Sequence, residues 1–152
     1  MATTSYPRDI PPFWFLVAIV GELLLHFLLP GARLLRAPWT AGGIAICALG
    51  LWLGTAALGL FQRARTGVRP FSAATALVIG GPYRFTRNPM YLGMVTVLLG
   101  GALALGTATP WLLPPCFLLL IDRRFIRREE AFMAERFGDE YRDFCRKVRR
   151  WL

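Results

Sequence analysis

Residues 39–61, WTAGGIAICALGLWLGTAALGLF, decide the fold, because this stretch contains no charged side chain. A helix needs about 20 apolar residues to cross the hydrocarbon core of a membrane, and this stretch has 23. Residues 13–29 form a second apolar stretch of sufficient length. Two shorter apolar segments, 91–105 and 111–121, are separated only by residues 106–110. The sequence therefore predicts an all-α membrane bundle of about four transmembrane helices.

The composition is typical of a membrane protein rather than a soluble one. Of the 152 residues, 55% are hydrophobic and 18% are charged, whereas soluble domains contain about 25% charged residues. The formal net charge is nevertheless +9, with 18 Lys and Arg residues against 9 Asp and Glu residues. A basic charge on an apolar chain favours positive membrane loops over nucleic-acid binding. Three cysteines and one histidine, without close spacing, predict no metal site.

The basic residues are distributed unevenly along the chain. Residues 62–90 contain five arginines and no acidic residue, and residues 122–152 contain ten basic residues. The loop at 106–110 contains none. Because positive loops stay in the cytoplasm, we expect both termini and both basic segments on that side. The prediction is one multi-pass domain in the plasma membrane of a prokaryote, with cytoplasmic amphipathic helices after residue 121.

Two features inside the predicted spans have alternative interpretations. Glu22 and His26 are four residues apart and therefore share one helix face. They are either functional, as ionisable residues in membranes often are, or they bond to each other or to a neighbouring helix. Gly50 and Gly54 form a GxxxG pattern, which is typical of close helix packing. That face packs either within the chain or between subunits of a homo-oligomer.

The connection at 62–90 is long for a small helical membrane protein and is not polar throughout. Gly80-Gly81-Pro82 predicts a sharp turn, and Tyr83-Arg84-Phe85-Thr86-Arg87-Asn88-Pro89-Met90-Tyr91 leads into the third span. Pro89 suits the first turn of a helix, whose free N–H groups favour an anion. The segment is either an anion site or an interfacial belt of aromatic residues with positive anchors.

The C-terminal segment contains the complementary charge. Glu129 and Glu130 are adjacent on a predicted helix that ends at Gly138. A second amphipathic helix is predicted from Asp139 to about Arg150, with an apolar face at three- and four-residue steps. Alternatively, the two glutamates lie on a solvated surface and pair with nearby arginines of the same helix.

Four short blocks carry a family resemblance, in conserved order and spacing within residues 67–152. They are Gly81-Pro82-Tyr83-Arg84, Arg87-Asn88-Pro89-Met90-Tyr91-Leu92-Gly93, Glu129-Glu130 and Phe137-Gly138-Asp139-Glu140-Tyr141. This set resembles the isoprenylcysteine carboxyl methyltransferase and phospholipid methyltransferase family. The resemblance implies an integral-membrane enzyme that uses S-adenosylmethionine as methyl donor. Its cofactor pocket would lie at the cytoplasmic ends of the last two spans, closed by the C-terminal helix.

The resemblance and the chemistry of the side chains together give a set of candidate cofactor-binding residues. Arginine and a helix N-terminus suit the carboxylate of S-adenosylmethionine, glutamate suits its ammonium or ribose, and tyrosine suits its adenine or sulfonium. The family usually has histidine where this chain has asparagine, so a proton-transfer role at that position is not expected. The candidates are Thr75, Ala76, Leu77, Val78, Tyr83, Arg87, Asn88, Pro89, Met90, Tyr91, Glu129 and Glu130.

The methyl acceptor is left open by the sequence. Prenylcysteine methyltransferases have an arginine four residues before the position of Glu129, where this chain has Phe125 flanked by Arg124 and Arg127. Arg124 and Phe125 are candidate substrate-binding residues. Lipid amines, isoprenoid-linked carboxylates and small hydrophobic thiols all fit an amphiphile that enters from the bilayer. No catalytic base is assigned, because only an amine acceptor must lose a proton.

Two other functions remain as alternatives. Membrane sterol reductases, which use NADPH, have a similar Arg-x-Pro-x-Tyr turn and C-terminal end, but Glu129-Glu130 followed by Phe137-Gly138 favours a methyltransferase. A small non-enzymatic scaffold could bind anionic lipid through its basic tail. That tail also contains seven of the nine acidic residues, which favours a folded segment over a simple lipid anchor.

Overall fold

The computed structural model describes residues 10–63 and 76–152. This part of the chain contains five α-helices. Two 3₁₀ turns lie at Gly81–Arg84 and Thr109–Leu112, and a π-helical turn lies at Asp122–Ile126. The helices are α1 (Pro11–Leu28), α2 (Trp39–Arg63), α3 (Pro89–Leu105), α4 (Leu113–Ile121) and α5 (Arg127–Lys147). The prediction of an all-α fold is confirmed for the described residues.

Two of the described helices, α1 and α2, are long and apolar enough to cross a membrane. Their bounds differ from the predicted segments 13–29 and 39–61 by no more than two residues at either end. Helix α3 is apolar but has 17 residues, and α4 has only nine. The two further transmembrane spans, and the cytoplasmic placement of both termini, therefore stay predictions.

Helices α2 and α3 pack closely because glycines remove the side chains between their backbones. A Cβ atom on Gly50 would lie 2.7 Å from the carbonyl oxygen of Gly93, and one on Gly93 would lie 2.7 Å from that of Gly50. A Cβ on Gly100 would lie 2.7 Å from the carbonyl oxygen of Gly43. At Gly50, the GxxxG face is therefore used within the chain. A Cβ on Gly54 would meet nothing within 4 Å, and the predicted homo-oligomer is not tested by this packing.

The α3–α4 connection is held against the end of α1. Gly106 has a φ of 70°, a conformation that favours glycine, and its carbonyl accepts bonds from the amides of Leu34 and Leu35. The His26 ring nitrogen Nδ1 lies 2.8 Å from Oγ1 of the buried Thr107. His26 thus bonds to a neighbouring segment of the chain, which agrees with the alternative that it has a structural rather than a functional role.

Glu22 is also buried, with 3% of its surface exposed, and lies against α3. A Cβ on Gly101 would lie 2.6 Å from Glu22 Oε2, so this glycine provides the space for the carboxyl group. The other oxygen, Oε1, has no hydrogen-bond partner among the residues that the structure describes. Glu22 Oε1 is therefore not bonded to His26, although pairing of these two residues was one of the predicted alternatives.

Helix α4 continues through the π-helical turn into α5, as the sequence predicts for the segment after residue 121. Gly138 interrupts α5 with a φ of 53°, and the second part of the helix ends at Lys147. The apolar face of this second part is buried at Tyr141 and Phe144. The predicted break at Gly138 and the amphipathic helix after it are confirmed.

The buried hydrophobic residues form two separate clusters. The first, between α1, α3 and α4, contains Tyr91, Leu98, Ile121 and Phe125. The second lies where α2, the 81–84 turn and α5 meet, and its buried members are Ala57, Tyr83, Tyr141, Phe144 and Val148. The polar side chains described below lie between these two clusters.

Candidate functional site

The turn at residues 80–84 places Tyr83 in the second cluster. Gly81 has a φ of 57°, and a Cβ there would lie 2.9 Å from Cδ1 of Leu60. The glycine therefore serves both the turn and its close approach to α2. Tyr83 is buried, and its ring contacts that of Phe61 edge to face with centroids 5.7 Å apart. Burial and the nearby Glu129 carboxylate raise the pKa of Tyr83.

The turn at residues 88–91 brings α3 into the site. Asn88 precedes the helix, and Pro89 occupies its first turn, as predicted. The buried Tyr91 then projects from α3 toward α5, where its Oη donates a hydrogen bond of 2.7 Å to Glu129 Oε1. A hydroxyl and a carboxylate that are 38 residues apart are thereby joined in one pair.

Glu129 is a partly buried carboxyl whose pKa is raised to about 7. The main cause is burial, which disfavours the charged form. The Tyr91 hydrogen bond acts in the opposite direction, and the charge of Glu130 raises the pKa further. Near neutral pH this carboxyl is therefore present in both protonation states. A cation bound beside it would favour the ionised form.

Glu130 faces a different set of partners from Glu129. Its Oε1 lies 3.3 Å from Nη2 of Arg87 and accepts a 3.1 Å bond from Nε of Arg150. Arg150 Nη2 also bonds to Glu130 Oε2 at 2.5 Å. Arg150 Nη1 reaches Asp122 Oδ1 at 3.2 Å, and these contacts together raise the pKa of Arg150. Glu129 and Glu130 therefore do not follow the alternative of a solvated pair bonded to arginines of the same helix. Their partners are Tyr91, Arg87 and Arg150.

The residues at 149–150 hold the 86–88 segment through hydrogen bonds. The amide of Arg87 donates to the carbonyl of Arg149 at 2.9 Å. The carbonyl of Arg150 accepts bonds from Thr86 Oγ1 at 2.9 Å and from Asn88 Nδ2 at 3.1 Å. Asn88 therefore has a structural bond in this position, using an amide group that histidine does not have. The segment before α3 and the end of the chain form one unit.

The arginine of that unit retains one unsatisfied polar atom. Arg87 directs Nη2 to Glu130, and its Nη1 contacts the sulfur of Cys145. Its Nε is buried and has no hydrogen-bond partner among the described residues. A buried N–H without a partner is uncommon, and in a candidate site it indicates a place for an external acceptor.

The other predicted cofactor residues are placed as follows. Leu77, Val78 and Met90 are partly buried and pack against the second cluster, next to Tyr83. Ala76 is partly buried, and Thr75 lies outside the described residues. Apart from Thr75, the candidates thus lie on the segments that converge between α2, α3 and α5.

The two predicted substrate residues are placed differently. Phe125 is 1% exposed and belongs to the first cluster, which also contains Tyr91. Arg124 is exposed, and its guanidinium carbon lies 5.4 Å above the ring of Trp14 on α1. The contacts seen at these residues are therefore with the fold itself, and their role toward a substrate stays a prediction.

Three residues of this region were missed by the sequence reasoning. Asp122 and Arg150 complete the charge network of Glu130, and Cys145 contacts Arg87. Arg150 is one of ten basic residues in the C-terminal segment, and nothing in its spacing distinguishes it. The sequence analysis gave Cys145 no role in a site. Their partners lie 20 to 58 residues away, which no local pattern indicates.

Comparison with known proteins identifies the family. The family described as "Phospholipid methyltransferase" matches residues 39–140 of the chain. An uncharacterized protein of Haemophilus influenzae is 46% identical over 63 residues, which is 41% of this chain and all of that protein. The protein-S-isoprenylcysteine O-methyltransferase of Schizosaccharomyces pombe is 35% identical over 72 residues, 47% of this chain and 30% of that protein. No solved structure matches at a significant level. The chain belongs to the phospholipid methyltransferase family.

Proposed function

We propose that this membrane protein transfers a methyl group from S-adenosylmethionine to an amphiphilic or lipid-like acceptor at the cytoplasmic membrane interface. The observation that carries the proposal is the Tyr91–Glu129 pair, 2.7 Å apart, beside the Arg87–Glu130 ion pair. These groups come from α3, α5 and the segment between α2 and α3. Family membership supports the reaction type.

The polar atoms of the site match the charged groups of the proposed cofactor. The buried Nε of Arg87 lacks a partner among the described residues and suits a carboxylate. Glu129 is a partly buried carboxyl with a pKa of about 7, and it suits an ammonium group. Since the cofactor contains a carboxylate and an ammonium on one carbon, Arg87 and Glu129 would hold its amino-acid end.

The aromatic residues would hold the other parts of the cofactor. Tyr83 is buried in the cluster that contains Leu77 and Val78, and this apolar setting suits the adenine ring. Tyr91 is held by its bond to Glu129 and is buried in the cluster that contains Phe125. The ring face is suited to a positively charged sulfur.

When bound, S-adenosylmethionine supplies a methyl carbon that its sulfonium already activates. The side chains then have to align the acceptor and exclude water. A carboxylate or thiolate acceptor needs no base, whereas an amine acceptor must lose a proton. Glu129 titrates near neutral pH and would accept that proton only if the acceptor is an amine. The candidate acceptors are lipid amines, isoprenoid-linked carboxylates and small hydrophobic thiols.

The proposal is tested with the purified protein in detergent micelles. Titration calorimetry should show binding of S-adenosylmethionine and no binding of NADPH. Tritium-labelled methyl groups from S-adenosylmethionine should then appear in one of three acceptors: phosphatidylethanolamine, farnesylcysteine or decanethiol. Absence of S-adenosylmethionine binding would contradict the proposal. Binding of NADPH in its place would favour a reductase.

A further inference from the structure

A groove of about 450 Å³ runs along α2 and reaches the turn that contains Pro82. Leu60 lines the groove and also packs against the cluster that contains Tyr83. None of the described cofactor-binding candidates lines the groove. Its lining residues within the described part of the chain are Trp52, Thr55, Ala56, Gly59, Leu60, Arg63 and Pro82.

The shape of the groove follows from residue size along one helix face. Trp52, which is 63% exposed, lies at one end, and Arg63 lies at the other. Thr55, Ala56 and Gly59 between them are small, and a Cβ on Gly59 would meet nothing within 4 Å. Eleven residues of helix span roughly 16 Å, which is about half of the ~30 Å hydrocarbon core. The groove therefore has the length of an acyl chain in one leaflet.

Among the described lining residues, the charge of the groove lies at one end. Arg63 is exposed and is the last residue of α2, on the end that the positive-inside rule assigns to the cytoplasm. The other described lining residues are uncharged. A guanidinium at the headgroup level binds a phosphate group with two hydrogen bonds. An apolar groove that ends at a cation matches a phospholipid of the same leaflet, in which an apolar acyl chain ends at a phosphate group.

We propose that this groove binds an anionic phospholipid, with one acyl chain along Thr55, Ala56 and Gly59 and the phosphate at Arg63. The lipid would lie against Pro82 and hold the 81–84 turn to α2. This lipid site does not depend on the proposed methyl transfer, because its described lining includes none of the polar side chains around Glu129.

Native mass spectrometry of the whole protein in detergent tests the site, with equal amounts of dioleoyl-phosphatidylglycerol and dioleoyl-phosphatidylcholine as probes. The wild type should retain phosphatidylglycerol in preference to phosphatidylcholine. Arg63→Gln should reduce this preference by about fivefold, because one surface cation near anionic lipid contributes that much. Gly59→Leu should reduce retention of both lipids by filling the groove.

Gly42→Leu is the matched control, because a Cβ on Gly42 also meets nothing within 4 Å and Gly42 lies on α2 outside the groove. This variant should retain lipid as the wild type does. If Gly59→Leu fails to fold by circular dichroism, Ala56→Leu replaces it. The site is contradicted if the wild type shows no preference, if Arg63→Gln keeps it, or if the groove-filling variant retains lipid like Gly42→Leu. Calorimetric binding of S-adenosylmethionine is measured separately on each variant, so a failure of the lipid site and a failure of the proposed enzyme are distinguishable.

Discussion

Glu22 in α1 and Glu129 in α5 are both shielded from solvent, but their surroundings differ. Glu129 accepts a hydrogen bond from Tyr91 and lies beside Glu130, which pairs with Arg87 and Arg150. Glu22 lies against Gly101, and its Oε1 has no hydrogen-bond partner in the described part of the chain. A carboxyl within a network of charged and hydroxyl groups can bind a ligand at low cost. An isolated buried carboxyl mainly reduces stability.

The largest expected effect is on cofactor affinity at Glu129. Glu129→Ala removes the group that we propose for the ammonium and should weaken S-adenosylmethionine binding by about a hundredfold, since a charged hydrogen bond contributes about 1.5–3 kcal/mol. Glu135→Ala is the matched control, because Glu135 lies on the same helix and is exposed. Titration calorimetry measures both variants. Equal affinity in the two would place the ammonium elsewhere.

The next effect is the pH dependence of binding. The pKa of Glu129 is raised to about 7, so the carboxylate that would bind the ammonium is lost as the pH falls through this value. Affinity for S-adenosylmethionine should therefore drop by about eightfold between pH 7.5 and pH 6, the change in the ionised fraction for this pKa. Glu129→Gln should remove the dependence. A wild-type affinity that is constant over this range would disprove the role of Glu129.

Tyr91→Phe should have a smaller effect, because it removes one hydrogen bond and keeps the ring. The Tyr91 bond lowers the pKa of Glu129, so its loss should raise that pKa and shift the pH profile of binding upward. At pH 7.5 the affinity should fall by about twofold, because losing a bond of about 1 kcal/mol lowers the ionised fraction of Glu129 by that factor. Calorimetry across pH detects the shift. An unchanged profile would show that Tyr91 does not act on Glu129.

The smallest change in binding is expected at Glu22. Glu22→Gln keeps the shape and removes the buried ionisable group, so it should raise the free energy of unfolding by about 1 kcal/mol and change cofactor affinity by less than twofold. Thermal unfolding in detergent, followed by circular dichroism, measures the first effect. Glu135→Gln serves as the exposed control. A loss of stability or of cofactor affinity in Glu22→Gln would show that this carboxyl has a structural or binding role, contrary to this prediction.

The sequence predicted those parts of the fold that depend on local patterns. The lengths of the apolar runs gave α1 and α2 almost to the residue, Pro89 marked the start of α3, and Gly138 marked the break in α5. The family resemblance named Tyr91 and Glu129, which the structure joins by a hydrogen bond. The 3₁₀ turn at Thr109–Leu112 and the π-helical turn at Asp122–Ile126 were not predicted, because neither has a sequence pattern of its own.

The partners of the charged residues could not be predicted in the same way. Arg87 was expected to face a ligand, and it also pairs with Glu130 and contacts Cys145. The His26 ring was considered with Glu22, yet it bonds to Thr107, which is 81 residues away. Such contacts depend on how α1, α3 and α5 are positioned in space. Composition and spacing contain no information on that arrangement.

Ultraviolet cross-linking of radiolabelled S-adenosylmethionine, followed by peptide mapping, tests the central claim most directly. The label should be attached within residues 76–91 or 127–130, on the segments that carry Val78, Tyr83, Tyr91 and Glu129. Excess unlabelled S-adenosylhomocysteine should prevent the labelling. A label within α1, near Glu22, or labelling that S-adenosylhomocysteine does not prevent, would contradict the account.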